Sequence, residues 1–278
     1  MANHLMPDRL RVGAVNYLNT KPLIEGLTTF APQIELSLEL PSKLADLLAE
    51  GELDVALIPV IELFRNERYQ IIPNISIASH GPVMSVTIFS RVPWNDIRTL
   101  ALDEGSRTSA TLSKILLNER EAAPMLQCEQ LPIDQPAEAV QTDAVLLIGD
   151  RAMHACMPGF QFSYDLGREW YNRTSLPMVF AVWAVREGVD LGNAEQAFLQ
   201  AKQLGLRQSG IIAAREAPKL GIDAGYCRRY FDTIIQYHLG PREAAGLNRY
   251  YHMAEAWGLA SEGVTLDYYH RPNLVESR

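Results

Sequence analysis

What this 278-residue chain has little of narrows its reading first. Its three cysteines, Cys128, Cys156 and Cys227, are odd in number and far apart, which fits neither a disulfide framework nor a zinc site. The histidines His4, His80, His154, His238, His252 and His270 show no H-x-x-x-H and no other ligand spacing, so no metal centre is expected. No apolar run has the length of a membrane span, and M-A-N-H-L-M-P-D-R-L lacks the basic-then-apolar order of a signal peptide; the expected compartment is the cytoplasm, with no membrane partner. Positive charge is scarce too, with 25 Lys and Arg against 33 Asp and Glu for a net −8. That balance argues against a nucleic-acid partner, although a local cluster of donors can still hold a small anion. G-x-S-x-G, Walker A and G-x-G-x-x-G patterns are missing, so hydrolase, NTPase and dinucleotide-enzyme readings find no support. Internal repeats, low-complexity segments and obvious linkers are missing as well.

What is present is an ordinary globular composition, 47% hydrophobic and 21% charged, in a chain long enough for two compact lobes. The stretch Arg11 to Val15 reads as a strand, followed by a polar turn at Asn16, Asn19 and Thr20 and a helix from Pro22. Ile34 to Leu40 is a second strand. Ser42 is placed to cap a helix carrying Leu44, Leu47 and Leu48 on one face and closed by Gly51, and Asp54 to Val60 is a third strand. This alternation predicts a parallel sheet flanked by helices. Ile71 to Ser79 and Gly81 to Ser90 read as extended runs. A second alternation then begins: strand Thr99 to Leu102, helix Ser106 to Glu119, strand Leu126 to Leu131, helix Ala137 to Val140 and strand Ala144 to Ile148. Met178 to Val185 is extended. The remainder reads as helical, with Phe231, Ile234, Ile235 and His238 on one face and Leu247, Tyr251, Ala254 and Trp257 on another.

The expected architecture is therefore α/β and two-lobed, with crossovers near Val83 to Val86 and Pro177 to Phe180 and a cleft between the lobes suited to a small molecule. The boundaries expected are 1–86 plus 181–278 for lobe I and 87–180 for lobe II.

Each candidate site residue has a plain structural reading beside its functional one. Asn16, Asn19 and Thr20 suit turn chemistry, and they also place polar groups where a strand ends and a helix begins, the edge at which open α/β sheets bind ligands. Ser106, Arg107, Thr108 and Ser109 form either a capped helix with solvated hydroxyls or a cluster of donors at a helix start where a carboxylate would sit. Ser85, after Gly81 and Pro82, lies on the first crossover and in a clamshell would face the cleft. Asp150, just past a strand, either caps a helix or orients a ligand hydroxyl. Lys21 reads as a surface charge, Trp170, Tyr171 and Trp183 as packing, and His80 as the one histidine near a crossover.

Six segments in order, V-G-A-V-N-Y-L-N-T-K-P-L, D-V-A-L-I-P-V, S-x-G-P-V-M-S-V, L-D-x-x-S-R-T-S, L-I-G-D and L-P-M-V-F-A-V-W, resemble the chorismate dehydratases of the futalosine route to menaquinone. The resemblance runs from Arg11 to about Val185; the helical remainder fits in character. It implies a type II periplasmic-binding-protein-like clamshell, each lobe a mixed sheet flanked by helices, with a helical C-terminal region. It implies a hydro-lyase that acts on chorismate without metal or other cofactor. Carried over by motif, Asn19 and Ser85 would be catalytic, and Tyr17, Ser106, Arg107, Thr108, Ser109 and Asp150 would bind substrate, together with Asn16, which replaces another small polar residue. The proton acceptor is left open between the substrate's own enolpyruvyl carboxylate and a side chain such as His80 or Asp150. Two other readings share the fold: a small-carboxylate-binding or sensor protein, and the later dihydroxynaphthoate-forming enzyme of the same route.

Overall fold

The structure, a computed structural model, describes residues 9–65, 68–120 and 125–269. The N-terminal octet inspected for a leader, His4 and His270 lie outside the described residues.

The first elements are β1 (Leu10–Val15), α1 (Lys21–Ile24), α2 (Leu27–Phe30), β2 (Ile34–Glu39), α3 (Pro41–Ala49) and β3 (Val55–Pro59). Strand β1 pairs in parallel with both β2 and β3, as the alternation requires. Covered on both faces, β3 is a continuous apolar run, whereas β2 at the sheet edge buries Ile34 and exposes Leu38. The helix expected from Pro22 is cut short. A 3-10 turn over Leu18–Thr20 leads into α1, which is only four residues long before Gly26, at φ 72°, turns the chain. In α3 the first residue is Pro41 and Leu40 holds the cap position, so Ser42 lies inside the first turn and is not the cap.

The run from Ile71 is two strands, β4 (Tyr69–Ile71) and β5 (Ile77–Ser79), separated by a turn at Asn74, φ 63°. The run from Gly81 becomes a strand only at β6 (Val86–Ser90), because Gly81 (φ 101°) and Met84 (φ 66°) bend the chain as it leaves one sheet for another. Next come β7 (Thr99–Asp103), α4 (Thr108–Asn118), β8 (Gln127–Leu131), β9 (Ala144–Ile148), α5 (Gly149–His154), β10 (Phe162–Asp165) and α6 (Leu166–Thr174); the helix expected over 137–140 is a single 3-10 turn. Strands β6 to β10 form a five-stranded mixed sheet in the order β10-β6-β9-β7-β8.

Strand β11 (Met178–Arg186) then returns to the first sheet and inserts antiparallel between β3 and β5. It is followed by α7 (Ala194–Arg207), α8 (Ser209–Leu220), α9 (Ala224–Arg229), β12 (Ile235–Gln236), α10 (Pro241–Ala256) and β13 (Asp267–Tyr268). The larger sheet has eight strands and runs β12-β5-β11-β3-β1-β2, with β4 beside β11 and β13 beside β4. The closing region is helical with two departures. Tyr230–Ile234 is a π-helical turn, and Ile235 pairs with Ser79 of β5, so Phe231, Ile234, Ile235 and His238 do not share a helix face. On α10, Leu247, Tyr251 and Ala254 are buried, while Trp257 lies past the helix end and is exposed. Trp170 and Trp183 are fully buried packing residues. Among the described residues no helix is long and apolar enough to cross a membrane, and no group of three His, Cys, Asp or Glu could hold a metal ion.

Candidate active site

Strand ends from both sheets converge on one cavity, set where small-molecule sites are favoured. The turn after β1 supplies Tyr17 and Asn19, and the crossing into β6 supplies Val83 and Ser85. The loop from β7 into α4 supplies Gly105 through Ser109, the end of β9 supplies Ile148 and Gly149, and β11 supplies Phe180 and Ala181.

The polar wall is built on helix α4. Helix α4 begins at Thr108, two residues beyond the expected start at Ser106, with Arg107 in the cap position, yet the Ser106 side chain serves the helix start: its Oγ accepts the Ala110 N–H at 3.1 Å. The Thr108 Oγ1 accepts the Ile61 N–H at 3.3 Å, and the Tyr250 O–H donates to the Thr108 carbonyl at 3.0 Å. These contacts hold the first turn of α4 against the larger sheet. The N–H groups of Thr108 and Ser109 have no carbonyl to meet within the helix, and both residues line the cavity at the positive end of its dipole.

Opposite stands Ser85, itself buried, whose Oγ accepts the Tyr230 O–H at 2.7 Å. Asn19 lines the same cavity. Complete burial holds the Tyr230 pKa well above that of a free phenol, so it is a protonated donor. Tyr17 lies flat on Gly149. Its ring is so close that a Cβ there would come within 2.6 Å, and the Gly149 φ of +59° also excludes most side chains. The Tyr17 hydroxyl is buried with no hydrogen-bond partner among the described residues, and burial, helped by the Asp103 and Asp150 carboxylates, raises its pKa.

Two residues expected in the site stand outside the cavity wall. The exposed Asn16 accepts a hydrogen bond from Lys21 Nζ at 2.8 Å. Asp150 is turned to the chain: its Oδ1 accepts the Leu18 N–H at 3.0 Å and braces the β1 turn against the start of α5. Arg107 lies in the wall, but its guanidinium is engaged by Asp46 at 2.6 Å and Glu62 at 3.2 Å. Burial works to lower its pKa, and these two carboxylates outweigh that and raise it. His80 is outside the wall, paired through Nε2 with Glu243 at 2.5 Å, while Glu243 also accepts the Gly240 N–H that opens α10. Among the described residues, the cavity is lined by hydroxyls, an amide, the paired Arg107 guanidinium, backbone and apolar groups, with no carboxylate, imidazole, amine or thiol.

Asn19, Ser85, Ser106, Arg107, Thr108, Ser109 and Tyr17 are thus brought together, and Asn16, Asp150 and His80 are not. Sequence reasoning missed Tyr230, which reads there as one residue of a helical stretch. The only local hint is a tyrosine following two arginines, Arg228 and Arg229, where an apolar core position would be expected.

The sequence pattern of a family described as menaquinone biosynthesis matches residues 10–256. A chorismate dehydratase of Thermus thermophilus is 31% identical over 266 residues, covering 89% of this chain and 95% of the relative. Among solved structures, a protein of Archaeoglobus fulgidus superposes with a TM-score of 0.72 at 20% identity, covering 91% of this chain and 99% of that one. The periplasmic aliphatic sulphonate binding protein of Escherichia coli superposes at 0.60 with 16% identity and 96% of each chain covered, which shows the periplasmic-binding-protein fold expected from the resemblance. With its pattern matched from β1 through α10, the chain belongs to the menaquinone biosynthesis family.

Proposed function

We propose that this protein is an enzyme, a cytoplasmic hydro-lyase that converts chorismate to 3-[(1-carboxyvinyl)oxy]benzoate and water. The name and 31% identity of the Thermus thermophilus relative support the substrate. The structural observation that carries the reading is the composition of the cavity wall, which offers hydrogen-bond donors and no side chain suited to take a proton at neutral pH.

That composition suits this elimination. The ring carbon bearing the ether loses its proton, the C–H electron pair becomes a ring double bond, and the neighbouring C–O bond breaks. The departing hydroxyl and the proton together make water, and the ring becomes aromatic, so the driving force resides in the substrate. The enolpyruvyl carboxylate, tethered beside the acidic carbon at high effective concentration, takes the proton. The protein supplies orientation, exclusion of water and donors to developing charge. The N–H groups and hydroxyls of Thr108 and Ser109, with the dipole of α4, hold a substrate carboxylate. Ser106 keeps that helix start in place, and Asn19 and Ser85 face the departing hydroxyl. Tyr17 closes one side of the cavity and offers its free phenol to the substrate. In this proposal the lobes are 1–86 with 181–278 and 87–180, and the cleft between them is the site.

Incubating purified protein with chorismate alone, followed by chromatography and mass analysis, tests the reading. A new aromatic product lighter by one water is expected. Unchanged chorismate that remains bound to the folded protein would instead favour a binding protein of the same architecture.

A further inference from the structure

Tyr230 is 1% exposed and stands behind the cavity wall, in the π-helical turn that follows α9. Its hydroxyl reaches forward to the wall residue Ser85, 145 positions away in the chain. The phenol gives its one proton to Ser85 Oγ at 2.7 Å. Direction then runs from the Tyr230 O–H to Ser85. Among the described residues the acceptor for the Ser85 proton is the Val83 carbonyl at 3.5 Å, a long contact that leaves the proton available to a group in the cavity.

We propose that Tyr230 is a positioning residue that fixes the Ser85 hydroxyl as a donor to the substrate hydroxyl that departs. The assignment rests on the dehydratase reading above. As the ring C–O bond breaks, negative charge grows on the leaving oxygen and Ser85 donates to it. The Ser85 oxygen becomes a better acceptor, and the bond from Tyr230 strengthens in step. No proton leaves Tyr230 at any point. The π turn provides the reach: its extra residue displaces the backbone from helical register, as π turns at functional sites commonly do. Immediately afterwards Ile235 pairs with Ser79, so the phenol is anchored beside β5, the strand that ends six residues before Ser85.

The test is a double-mutant cycle on chorismate turnover, with wild-type turnover measured first. Tyr230→Phe keeps the ring and is expected to lower kcat roughly 10-fold or more with KM within about threefold. In a Ser85→Ala background the same change is expected to alter kcat by less than about twofold, because the group it positions is already gone. An equal fall in both backgrounds, or a rise in KM with kcat intact, would show that Tyr230 acts through packing and would overturn the assignment. Should Tyr230→Phe fold poorly, 3-fluorotyrosine placed at position 230 keeps the donor; it is expected to retain at least about half of kcat, and loss of turnover in that folded variant would overturn the assignment as well. If the wild type leaves chorismate unchanged, the dehydratase reading falls and takes this assignment with it. Wild-type turnover with an additive cycle sinks the role of Tyr230 alone.

Discussion

Ser85 and Asn19 bring no charge to the cavity, and their contribution lies in donors already aimed before charge develops. Asn19→Ala and Ser85→Ala are each expected to lower kcat by about 100-fold while KM changes little, measured by steady-state kinetics on chorismate. A proton acceptor carried by the substrate has a further signature. With no lining group titrating near neutrality, kcat/KM is expected to stay flat from about pH 6 to pH 9, well above a carboxylate's value of about 4 and across the free-histidine value of about 6.5. Because burial raises the Tyr17 and Tyr230 phenols, they remain protonated throughout that window. A limb near the histidine value that disappears in His80→Gln would return the base to the protein. At this scale the sequence was legible where chemistry is local. Asn19 and Ser106 to Ser109 stand at a strand end and a helix start, positions whose free backbone groups attract polar residues. Asp150 and Asn16 carry the same local signature, yet the direction of Asp150 is decided by the N–H of Leu18, 132 positions away in the chain. Tyr230 depends on a π turn that no local pattern encodes.

Among the elements, the parallel trio β1, β2 and β3 is tied at one end by Asp54. Its carboxylate accepts from the Arg11 Nε at 3.1 Å, the Arg11 backbone N–H at 3.0 Å and the Arg186 guanidinium at 3.0 Å, linking β1, β3 and β11. Burial works to raise the Asp54 pKa, and the Arg11 and Arg186 contacts outweigh that and lower it below the ordinary aspartate value. A depressed carboxyl contributes stability that is fully present above its unfolded value of about 3.9 and is lost as pH falls through the folded value. Thermal unfolding from pH 7 down to pH 3 is therefore expected to show a smaller drop in Tm for Asp54→Asn. At pH 7 that variant is expected to be less stable by about 1–2 kcal/mol, since solvent reaches both arginines. Gly205 on α7 meets the Pro22 carbonyl of α1 so closely that a Cβ would lie 2.0 Å from its oxygen. Gly205→Ala is expected to cost on the order of 2–3 kcal/mol by denaturant unfolding, because a rigid backbone must shift. Strands covered on both faces, such as β3 and β9, were legible as unbroken apolar runs. The short β12 was not, because two residues carry no period and its pairing with β5 is purely tertiary.

For the molecule as a whole, Arg107 straps the smaller sheet to the larger through Asp46 and Glu62, next to the Thr108 contacts with Ile61 and Tyr250. Arg107→Gln is expected to open the cleft, seen as a larger radius of gyration by small-angle scattering without substrate. A KM raised by roughly 10-fold is expected with it, at nearly unchanged Tm. An unchanged radius and KM would show that the strap does not set closure. The two-sheet plan was visible in the repeated strand and helix alternation, and a crossover back to the first lobe was expected near Pro177 to Phe180, but the place of β11 between β3 and β5 was not legible, since an apolar run does not announce its neighbours. The smaller sheet comes from one unbroken stretch, whereas β3 finds its second neighbour only when β11 is made, 127 residues further on (186 − 59). At synthesis rates of about 5–20 residues per second, a nascent chain on the ribosome carries an open apolar edge for roughly 6–25 s. During that interval the smaller sheet can fold while the larger one waits, and a chaperone at the exit tunnel has its target in β3.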